Sequence, residues 1–430
     1  MPPQWVRPQL ACGGSYGGRP LSSLTAGFHW CSIIVTMLNL SVETVPSGSY
    51  ILVENKEPQD YFYIIKSGEV LGTRRYSKTS RTLGNGNVIG IVPCMTARSQ
   101  TESVLAKTPV TLVKVKHSQY EDFIRENPTI AMKIVQMLSR DLRSFNEAYE
   151  KKTGSSDGGG LRTEQLYRTA RYYEDKGKPS IAHFAYYQYL KEAADGPNAG
   201  EAKRAIERLA AKSQAVHLEP KNEPSRFYPK DTMVFAEGQT GSEMFIVNSG
   251  CVRISKIVND SEQAIVYFKR GDILGEMALV DNEFRSANAV TTEDSSLLVL
   301  NRQNFDQMVA TQPQYILKLT ATLANRYWYS YRRYGNICLT DVRERLVDMI
   351  AMQVEMNRTG YNWSNSYETE LGLADLMVLC HIPASEQEDA SYQLKNTRGL
   401  SFKGDKIVVK DVEMVLKMAE YYRNKRDKQA

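Results

Sequence analysis

Residues 271–290, GDILGEMALVDNEFRSANAV, decide how the whole chain is interpreted. The stretch begins as the end of a strand, turns at Gly275, continues as a short helical turn that carries Glu276, and then delivers Arg285 from a loop. Backbone N–H groups at the start of a helix bind anions, and a guanidinium neutralises phosphate through paired, charge-assisted hydrogen bonds. A carboxylate is repelled by phosphate but accepts well from a ribose hydroxyl. The spacing therefore suits a small cyclic phosphate joined to a sugar.

The pattern G-E-x-A-L…R-S-A resembles the phosphate-binding cassette of cyclic-nucleotide-binding domains. The resemblance implies that Arg285 holds the cyclic phosphate, Glu276 holds the ribose 2′-hydroxyl and Ser286 adds a phosphate contact, with cAMP or cGMP as the ligand. The alternative is a surface loop in which Arg285 pairs with a nearby glutamate, and the full set of matching positions outweighs it. The ligand-binding positions predicted in this second cassette are Gly275, Glu276, Met277, Ala278, Arg285, Ser286 and Ala287.

Composition limits the remaining possibilities. A chain of 430 residues predicts about two to four domains, and a net charge of +5 does not by itself indicate a nucleic-acid binder. The six cysteines include no C-x-x-C pair and the five histidines are dispersed, so we expect no disulfide framework and no metal site. A reducing cytoplasm fits this cysteine usage. No catalytic constellation stands out, and we expect a protein that is not an enzyme.

The N-terminal extension, residues 1–36, is rich in Gly, Pro and Ser and has no acidic residue. The apolar run Leu24–Leu40 is short and interrupted by polar residues, so we expect no membrane span. We expect the folded protein to begin near Met37, with the extension disordered or not native.

The first β-unit, residues 37–152, shows short alternating strands followed by a helix. This order resembles the same nucleotide-binding domain, but its own cassette, residues 90–104, is degenerate. Ile91 stands at the glutamate position and Gln100 at the arginine position, with Arg98 left as a nearby substitute. We predict that this unit does not bind nucleotide and serves packing or regulation.

A helical insert, residues 161–216, follows a Gly/Ser-rich linker and resembles one and a half tetratricopeptide repeats. We favour a plain hairpin that spaces two domains over a peptide-binding groove. The second β-unit, residues 220–335, alternates like a small antiparallel barrel. Positive φ angles are predicted at its turn glycines, Gly238, Gly241, Gly250 and Gly271.

The long helix after Pro313 carries one apolar stripe, which is typical of a dimer-forming seam. Together with the hinge that follows, it resembles the central helix of bacterial regulators of the catabolite-activator (cAMP receptor protein) and fumarate-nitrate-regulator type. That resemblance implies a homodimer through residues 313–334 and purine contacts at Ser330 and Tyr331. The alternative, which we favour for the aromatic run 327–331, is that its side chains fill an interface.

Residues 336–412 read as helix, helix-turn-helix and hairpin, the order of a winged DNA-binding domain. The segment that should enter the major groove, 384–394, contains three acidic residues and no Arg or Lys. Phosphates repel such a helix, so DNA readout is weakened but not excluded. The DNA contacts that remain are Lys403 and Lys406 in the wing. The basic end, 413–430, is expected to be a solvated helix, with nucleic acid or an acidic partner as the alternative.

The expected fold is therefore multidomain α+β, with two cyclic-nucleotide-binding β-barrel (jelly-roll) domains, a helical hairpin between them and a C-terminal winged helix. Two functions compete for this arrangement. The first is a cyclic-nucleotide-responsive transcription regulator in which ligand repositions the central helix and the winged domain. The alternative is a nucleotide-responsive interaction or scaffold protein, similar in logic to a kinase regulatory subunit, whose winged domain contacts protein.

Overall fold

The computed structural model describes residues 39–76, 79–153, 162–219, 223–258, 261–275, 284–357 and 366–427. The N-terminal extension lies outside these ranges, and so do Glu276, Met277 and Ala278 of the second cassette. In the part of the chain that is described, no helix combines the length and apolar character that crossing a membrane requires. The same ranges contain no group of three or more His, Cys, Asp and Glu side chains that could hold a metal ion.

The first β-unit consists of two four-stranded antiparallel sheets, ordered β1-β8-β3-β6 and β2-β7-β4-β5. Apolar side chains from both sheets, such as Ile65, Val104 and Leu112, form one buried core between them. Its strands are β1 (Ser41–Val45), β2 (Tyr50–Leu52), β3 (Tyr61–Ser67), β4 (Val70–Arg74), β5 (Thr79–Leu83), β6 (Val88–Ile89), β7 (Ser103–Ala106) and β8 (Val110–Lys116).

The helices of the first β-unit are α1 (Ile91–Thr96), α2 (Tyr120–Glu126) and α3 (Pro128–Thr153). The predicted helix after residue 127 is confirmed as α3, and it begins at Pro128 because proline is tolerated in a first turn, where its missing N–H would have no helical partner. Its apolar face is buried at Ile134, Leu138 and Leu142.

The helical insert contains α4 (Arg162–Asp175), α5 (Pro179–Glu192) and α6 (Ala199–Ala210). These helices share a buried core with Met233, Ala236 and Val290 of the second β-unit. The phenol of Tyr173 also donates a hydrogen bond of 2.8 Å to the carboxylate of Glu262 in that unit. The insert is thus packed on the second β-unit, which is a closer association than a spacer requires.

The second β-unit repeats the plan of the first, with four-stranded sheets ordered β10-β15-β12-β13 and β14-β11-β16-β9. Each predicted barrel is therefore built as two facing sheets. The strands are β9 (Ser225–Tyr228), β10 (Met233–Phe235), β11 (Met244–Ser249), β12 (Val252–Val258), β13 (Ser261–Phe268), β14 (Ile273–Leu274), β15 (Asn288–Thr291) and β16 (Ser295–Leu300), and the helices are α7 (Arg302–Thr311) and α8 (Pro313–Asn336).

Helix α8 lies against α3 of the same chain, and this contact corrects the predicted homodimer seam. The stripe residues Leu319 and Leu323 are fully buried in one core with Leu138 and Leu142 of α3. The Phe145 and Tyr327 rings also meet edge to face at 5.4 Å. An apolar stripe is stabilised by any apolar surface that covers it, and here the first β-unit supplies that surface. The stripe is covered without a second chain.

The C-terminal unit begins with α9 (Val342–Asn357) and ends with α12 (Val412–Asp427). Between them lie β17 (Tyr367–Gly372), α10 (Leu373–Leu379), α11 (Gln387–Lys395), β18 (Leu400–Lys403) and β19 (Lys406–Val409), with the strands in one sheet ordered β17-β19-β18. The hairpin predicted at the wing is present as β18 and β19. It pairs with a third strand, β17, which ends at Gly372 directly before α10.

Candidate functional site

The backbone around Arg285 is anchored to the turn between β10 and β11. The N–H of Gly238 donates to the carbonyl of Arg285 at 2.8 Å, and the N–H of Arg285 donates to the carbonyl of Gln239 at 2.8 Å. Gly238 has a φ of +85°, a conformation that only glycine adopts without strain. The sequence therefore folds locally so that the second cassette and this turn share one edge.

The guanidinium of Arg285 lies in a narrow slot and is buried, with 7% of the residue exposed. Its Nη1 donates to the carbonyl of Gly275 at 3.0 Å and its Nη2 to the carbonyl of Glu243 at 2.6 Å. The ring of Phe235 lies beneath the guanidinium at 4.3 Å, a distance at which a cation is attracted to the ring face. Main-chain carbonyls and an aromatic face thus hold the cation.

Two glycines make the slot possible. A Cβ added at Gly241 would lie 2.5 Å from Nε of Arg285, and one added at Gly275 would lie 2.6 Å from its Nη1. Gly250 and Gly271 have the predicted positive φ, but Gly241 does not, so the prediction for Gly241 is wrong. Its role is to let the backbone approach the guanidinium closely.

Sequence reasoning missed two charged residues next to this slot. Arg226 and Glu243 form a bidentate ion pair with both nitrogen–oxygen distances at 2.7 Å, and their side chains are 2% and 10% exposed. Burial by itself would lower the pKa of Arg226. The hydrogen bond to Glu243 and the charge of that carboxylate outweigh the effect of burial, so the pKa of Arg226 is raised. The sequence contained a signal for this arginine, because Arg226 stands at an inward-facing position of strand β9.

The other described positions of the second cassette, Gly275, Ser286 and Ala287, lie around the Arg285 slot. Ser286 is exposed beside the slot, and Ala287 is buried directly after it. Gly275 turns with a φ of +73°. The structure therefore brings Gly275 and Arg285 into contact and places Ser286 at the adjacent surface.

The predicted purine contacts, Ser330 and Tyr331, face the first β-unit. The hydroxyl of Ser330 donates to Oδ1 of Asn146 on α3 at 3.0 Å. Tyr331 is 1% exposed and its phenol donates to the carboxylate of Glu54. Both side chains thus make the interface contacts that the alternative interpretation described. A nucleotide could reach the Tyr331 hydroxyl only by displacing Glu54.

The degenerate first cassette is filled by the protein's own charged side chains. Glu102 pairs with Arg81 at 3.0 Å, and Asp141 of α3 pairs with Arg74 at 2.7 Å and with Arg81 at 3.1 Å. The cavity that remains, which Tyr327 also lines, has a volume of 20 Å³. This is room for about one water, whereas sites for small organic ligands usually measure about 300–1,000 Å³.

The two residues considered for the arginine position of the first cassette, Gln100 and Arg98, have partners within the protein. Gln100 is buried, and its backbone hydrogen-bonds with Lys56 and Asn55. Arg98, the substitute considered for the missing arginine, lies over the ring of Trp328 at 4.3 Å from its centroid. That the first β-unit does not bind nucleotide stays a prediction.

Helix α11 of the C-terminal unit exposes two acidic residues, Glu388 and Asp389, in its first turn and one basic residue, Lys395, at its C-terminal end. Lys403 at the hairpin is highly exposed, with its ammonium 3.8 Å from the carboxylate of Glu368, and Lys406 is half-buried. Two basic residues of α12 pair within the unit. Arg423 bonds to the buried Asp348, and Lys425 lies 3.0 Å from Glu344.

Comparison with known proteins agrees with this plan. Residues 42–127 and 225–312 match the family described as Cyclic nucleotide-binding domain. Each of the two β-units of the fold thus contains a match to a cyclic nucleotide-binding domain. The chain is homologous to regulators of the cyclic AMP receptor type and, over a small part of their length, to cGMP-dependent protein kinases.

Individual relatives show how far the similarity extends. The Cyclic AMP receptor protein of Thermus thermophilus is 34% identical over 102 residues, which is 24% of this chain and 47% of that protein. Human cGMP-dependent protein kinase 2 is 33% identical over 102 residues, covering 23% of this chain and 13% of the kinase. A solved structure described as cAMP-bound PfPKA-R covers 72% of this chain and 83% of its own, at 18% identity and a TM-score of 0.23. The chain thus spans less than half the length of these two curated relatives.

Proposed function

We propose that the protein is a cyclic-nucleotide-responsive regulatory protein that binds one cAMP or cGMP in its second β-unit. The observation that carries the proposal is the asymmetry of the two cassettes. In the second, Arg285 lies in a glycine-lined slot at the position that holds the cyclic phosphate in the resembling family. In the first, Gln100 replaces that arginine, and Glu102 and Asp141 fill the space.

The mechanism follows from the present partners of Arg285. Its two terminal nitrogens donate to neutral main-chain carbonyls, and a charged phosphate oxygen is a stronger acceptor than these. Phosphate therefore draws Nη1 of Arg285 away from the Gly275 carbonyl, while Nη2 keeps its bond to the Glu243 carbonyl, and this changes how the cassette packs. A ligand shifts a conformational equilibrium only through such differential contacts.

Helix α8 connects the second cassette to the C-terminal unit. Ile273, two residues before Gly275, belongs to the same buried core as Ile316 of α8. At its other end α8 carries Arg332, which pairs with Asp348 of α9 at 3.2 Å. We propose that cassette repacking favours one orientation of α8 and so repositions the C-terminal unit.

We propose that this unit, interpreted as a winged helix, acts mainly by contacting protein. The exposed acids of α11 and the internal pairing of Arg423 and Lys425 support this output, because affinity for DNA comes from basic groups that neutralise phosphates. Transcription regulation remains the second candidate. The exposed Lys403 of the hairpin, with Lys406 beside it, favours that candidate.

Other elements of the proposal rest on the sequence. We assign no enzymatic activity and a cytoplasmic location, and we keep the predicted division of the chain. Its segments are the N-terminal extension 1–36, the first cyclic-nucleotide-binding unit 37–152, the helical insert 161–216, the second unit 220–335, the winged-helix unit 336–412 and the basic tail 413–430.

Calorimetric titration of cAMP and cGMP into the full chain tests the proposal. Arg285→Ala should cost about 2–4 kcal/mol of binding free energy, some tens- to several-hundred-fold in affinity. Arg98→Ala is the matched control, because that arginine lies over Trp328, and it should bind normally. Equal binding by wild type and Arg285→Ala would overturn the proposed site. A gel shift with genomic fragments, run for wild type and for Lys403→Glu, distinguishes transcription regulation from protein contact as the function of the C-terminal unit.

A further inference from the structure

The buried ion pair between Arg226 and Glu243 has no evident role in stabilising the fold. Arg226 comes from β9, and Glu243 directly precedes β11. The pair uses both terminal nitrogens of Arg226 and both carboxylate oxygens of Glu243. Removing two charges from water is costly, and replacing such a pair by apolar residues of similar size is often neutral or stabilising. Its presence close to the buried Arg285 therefore calls for another explanation.

The position of the pair supplies one. The same residue whose carboxylate is clamped by Arg226 offers its main-chain carbonyl to Nη2 of Arg285 at 2.6 Å. Holding both carboxylate oxygens of Glu243 restricts the orientations that its peptide group can adopt. The adjacent aromatic side chains complete the support, because Phe235 stacks on Phe245 at 6.2 Å and Tyr228 meets Phe245 edge to face at 6.4 Å.

We infer that the Arg226–Glu243 pair is a positioning device, which aims the Arg285 guanidinium into the slot where it receives the cyclic phosphate. This inference rests on the proposed function of the second cassette. Arg226 acts through Glu243 and has no assigned contact with the nucleotide. Both oxygens of Glu243 bond to Arg226, so the pair also holds that carboxylate in a fixed place beside a phosphate site.

The pair makes a distinctive energetic prediction. If Arg226 is removed alone, the Glu243 carboxylate is released next to Arg285 and competes with the ligand phosphate for it. If both partners are replaced, that competition disappears and only the positioning is lost. The single change should therefore weaken nucleotide binding more than the double change, which is the non-additivity that a double-mutant cycle detects.

The experiment compares nucleotide affinity and thermal unfolding of the full chain for Arg226→Met, Arg226→Met/Glu243→Met, Arg226→Lys and Arg285→Ala, with cAMP and cGMP as the probes. Arg74→Met is the matched control, because Arg74 is a buried, carboxylate-paired arginine of the first β-unit. We expect at least a tenfold affinity loss for the double variant, with an unfolding midpoint near that of wild type. Arg226→Met should lose more, Arg226→Lys should recover part of the loss, and Arg74→Met should bind within threefold of wild type.

The outcomes separate the inference from the proposed function. If Arg285→Ala abolishes binding while the folded double variant binds within threefold of wild type, the positioning role is overturned and the site stands. If Arg285→Ala binds nucleotide like wild type, the proposed nucleotide site is contradicted, and the positioning role that rests on it is contradicted as well. If Arg226→Met does not fold, the double variant and Arg226→Lys decide the question, and an Arg226→Lys affinity below that of the double variant would also contradict the positioning role.

Discussion

The phenol of Tyr331 donates a hydrogen bond to the carboxylate of Glu54, and this bond joins helix α8 to the first β-unit. The two residues are 277 positions apart in the chain, and the Tyr331 ring also lies 5.0 Å from that of Tyr76. Burial, followed by the nearby Tyr76 and Glu54, raises the pKa of Tyr331 well above its usual range. The phenol therefore keeps its proton and remains a donor.

Tyr331→Phe should destabilise the contact between the two β-units. A hydrogen bond to a charged acceptor contributes roughly 1.5–3 kcal/mol, and the variant retains the ring while it loses that bond. Chemical denaturation measures the loss. Tyr392→Phe is the matched control, since Tyr392 is 69% exposed and should change stability little. Equal stability of the two variants would show that the Glu54 bond contributes nothing.

Gly241→Ala should weaken nucleotide binding while the fold persists. The new methyl group would lie 2.5 Å from Nε of Arg285 and push the guanidinium out of its slot. The φ of Gly241 is not positive, so alanine adds no backbone strain there. Titration calorimetry should find at least a tenfold loss of affinity.

Gly200→Ala is the control for this change. Gly200 lies in the first turn of α6, where an added Cβ would have Arg204 Nη1 as its neighbour at 4.0 Å, and alanine in a helix is favoured over glycine by up to about 1 kcal/mol. The control should bind nucleotide normally and unfold at a slightly higher temperature. Normal binding by Gly241→Ala would mean that Arg285 does not need its present position.

Restoring an arginine in the first cassette should not create a second nucleotide site. Gln100→Arg leaves the space filled by Glu102 and Asp141, and the cavity of 20 Å³ is far too small for a nucleotide. Calorimetric stoichiometry should stay at one nucleotide per chain. A value of two for this variant, in a sample where Arg285→Ala/Gln100→Arg still binds one, would show that the first cassette is repairable.

Stability should fall as the pH drops below about 6.5. Burial, with the charges of Arg333 and Arg345, lowers the pKa of His381 from its usual 6.5, and its Nε2 lies 2.8 Å from the Tyr149 hydroxyl on α3. Above pH 6.5 the His381 imidazole is neutral in both the folded and the unfolded state, and its full contribution to the free energy of unfolding is present. Below that pH the unfolded chain takes up the proton first, so stability decreases until the folded pKa is passed.

Thermal unfolding between pH 7.5 and 5, with wild type and His381→Asn compared, measures this dependence. Asparagine tolerates the left-handed backbone at this position, where φ is +49°, so the substitution isolates the titrating ring. The variant should show a flatter pH profile. His117→Asn, at an exposed turn, is the control for the same substitution made elsewhere. Identical profiles for wild type and His381→Asn would refute the assignment.

Much of the fold could be predicted because its signals are local. Strand alternation and turn glycines depend on neighbouring residues, and the long helices follow from apolar spacing after Pro128 and Pro313. The slot arginine was also visible, since Arg285 follows Gly275 within one short stretch. The positive φ at Gly238 followed from the same local reasoning.

The sequence by itself determined that α8 has a face to bury, that one cassette keeps its arginine and that the other has lost it. Only the tertiary structure decided what covers that face and what fills the empty cassette. The hydrophobic effect is non-directional, so an apolar stripe does not specify whether α3 of the same chain or a second copy packs against it. Ion pairs such as Arg81–Glu102 and Arg226–Glu243 join segments that are apart in the sequence, and no local pattern records a partner that folding brings from a distance.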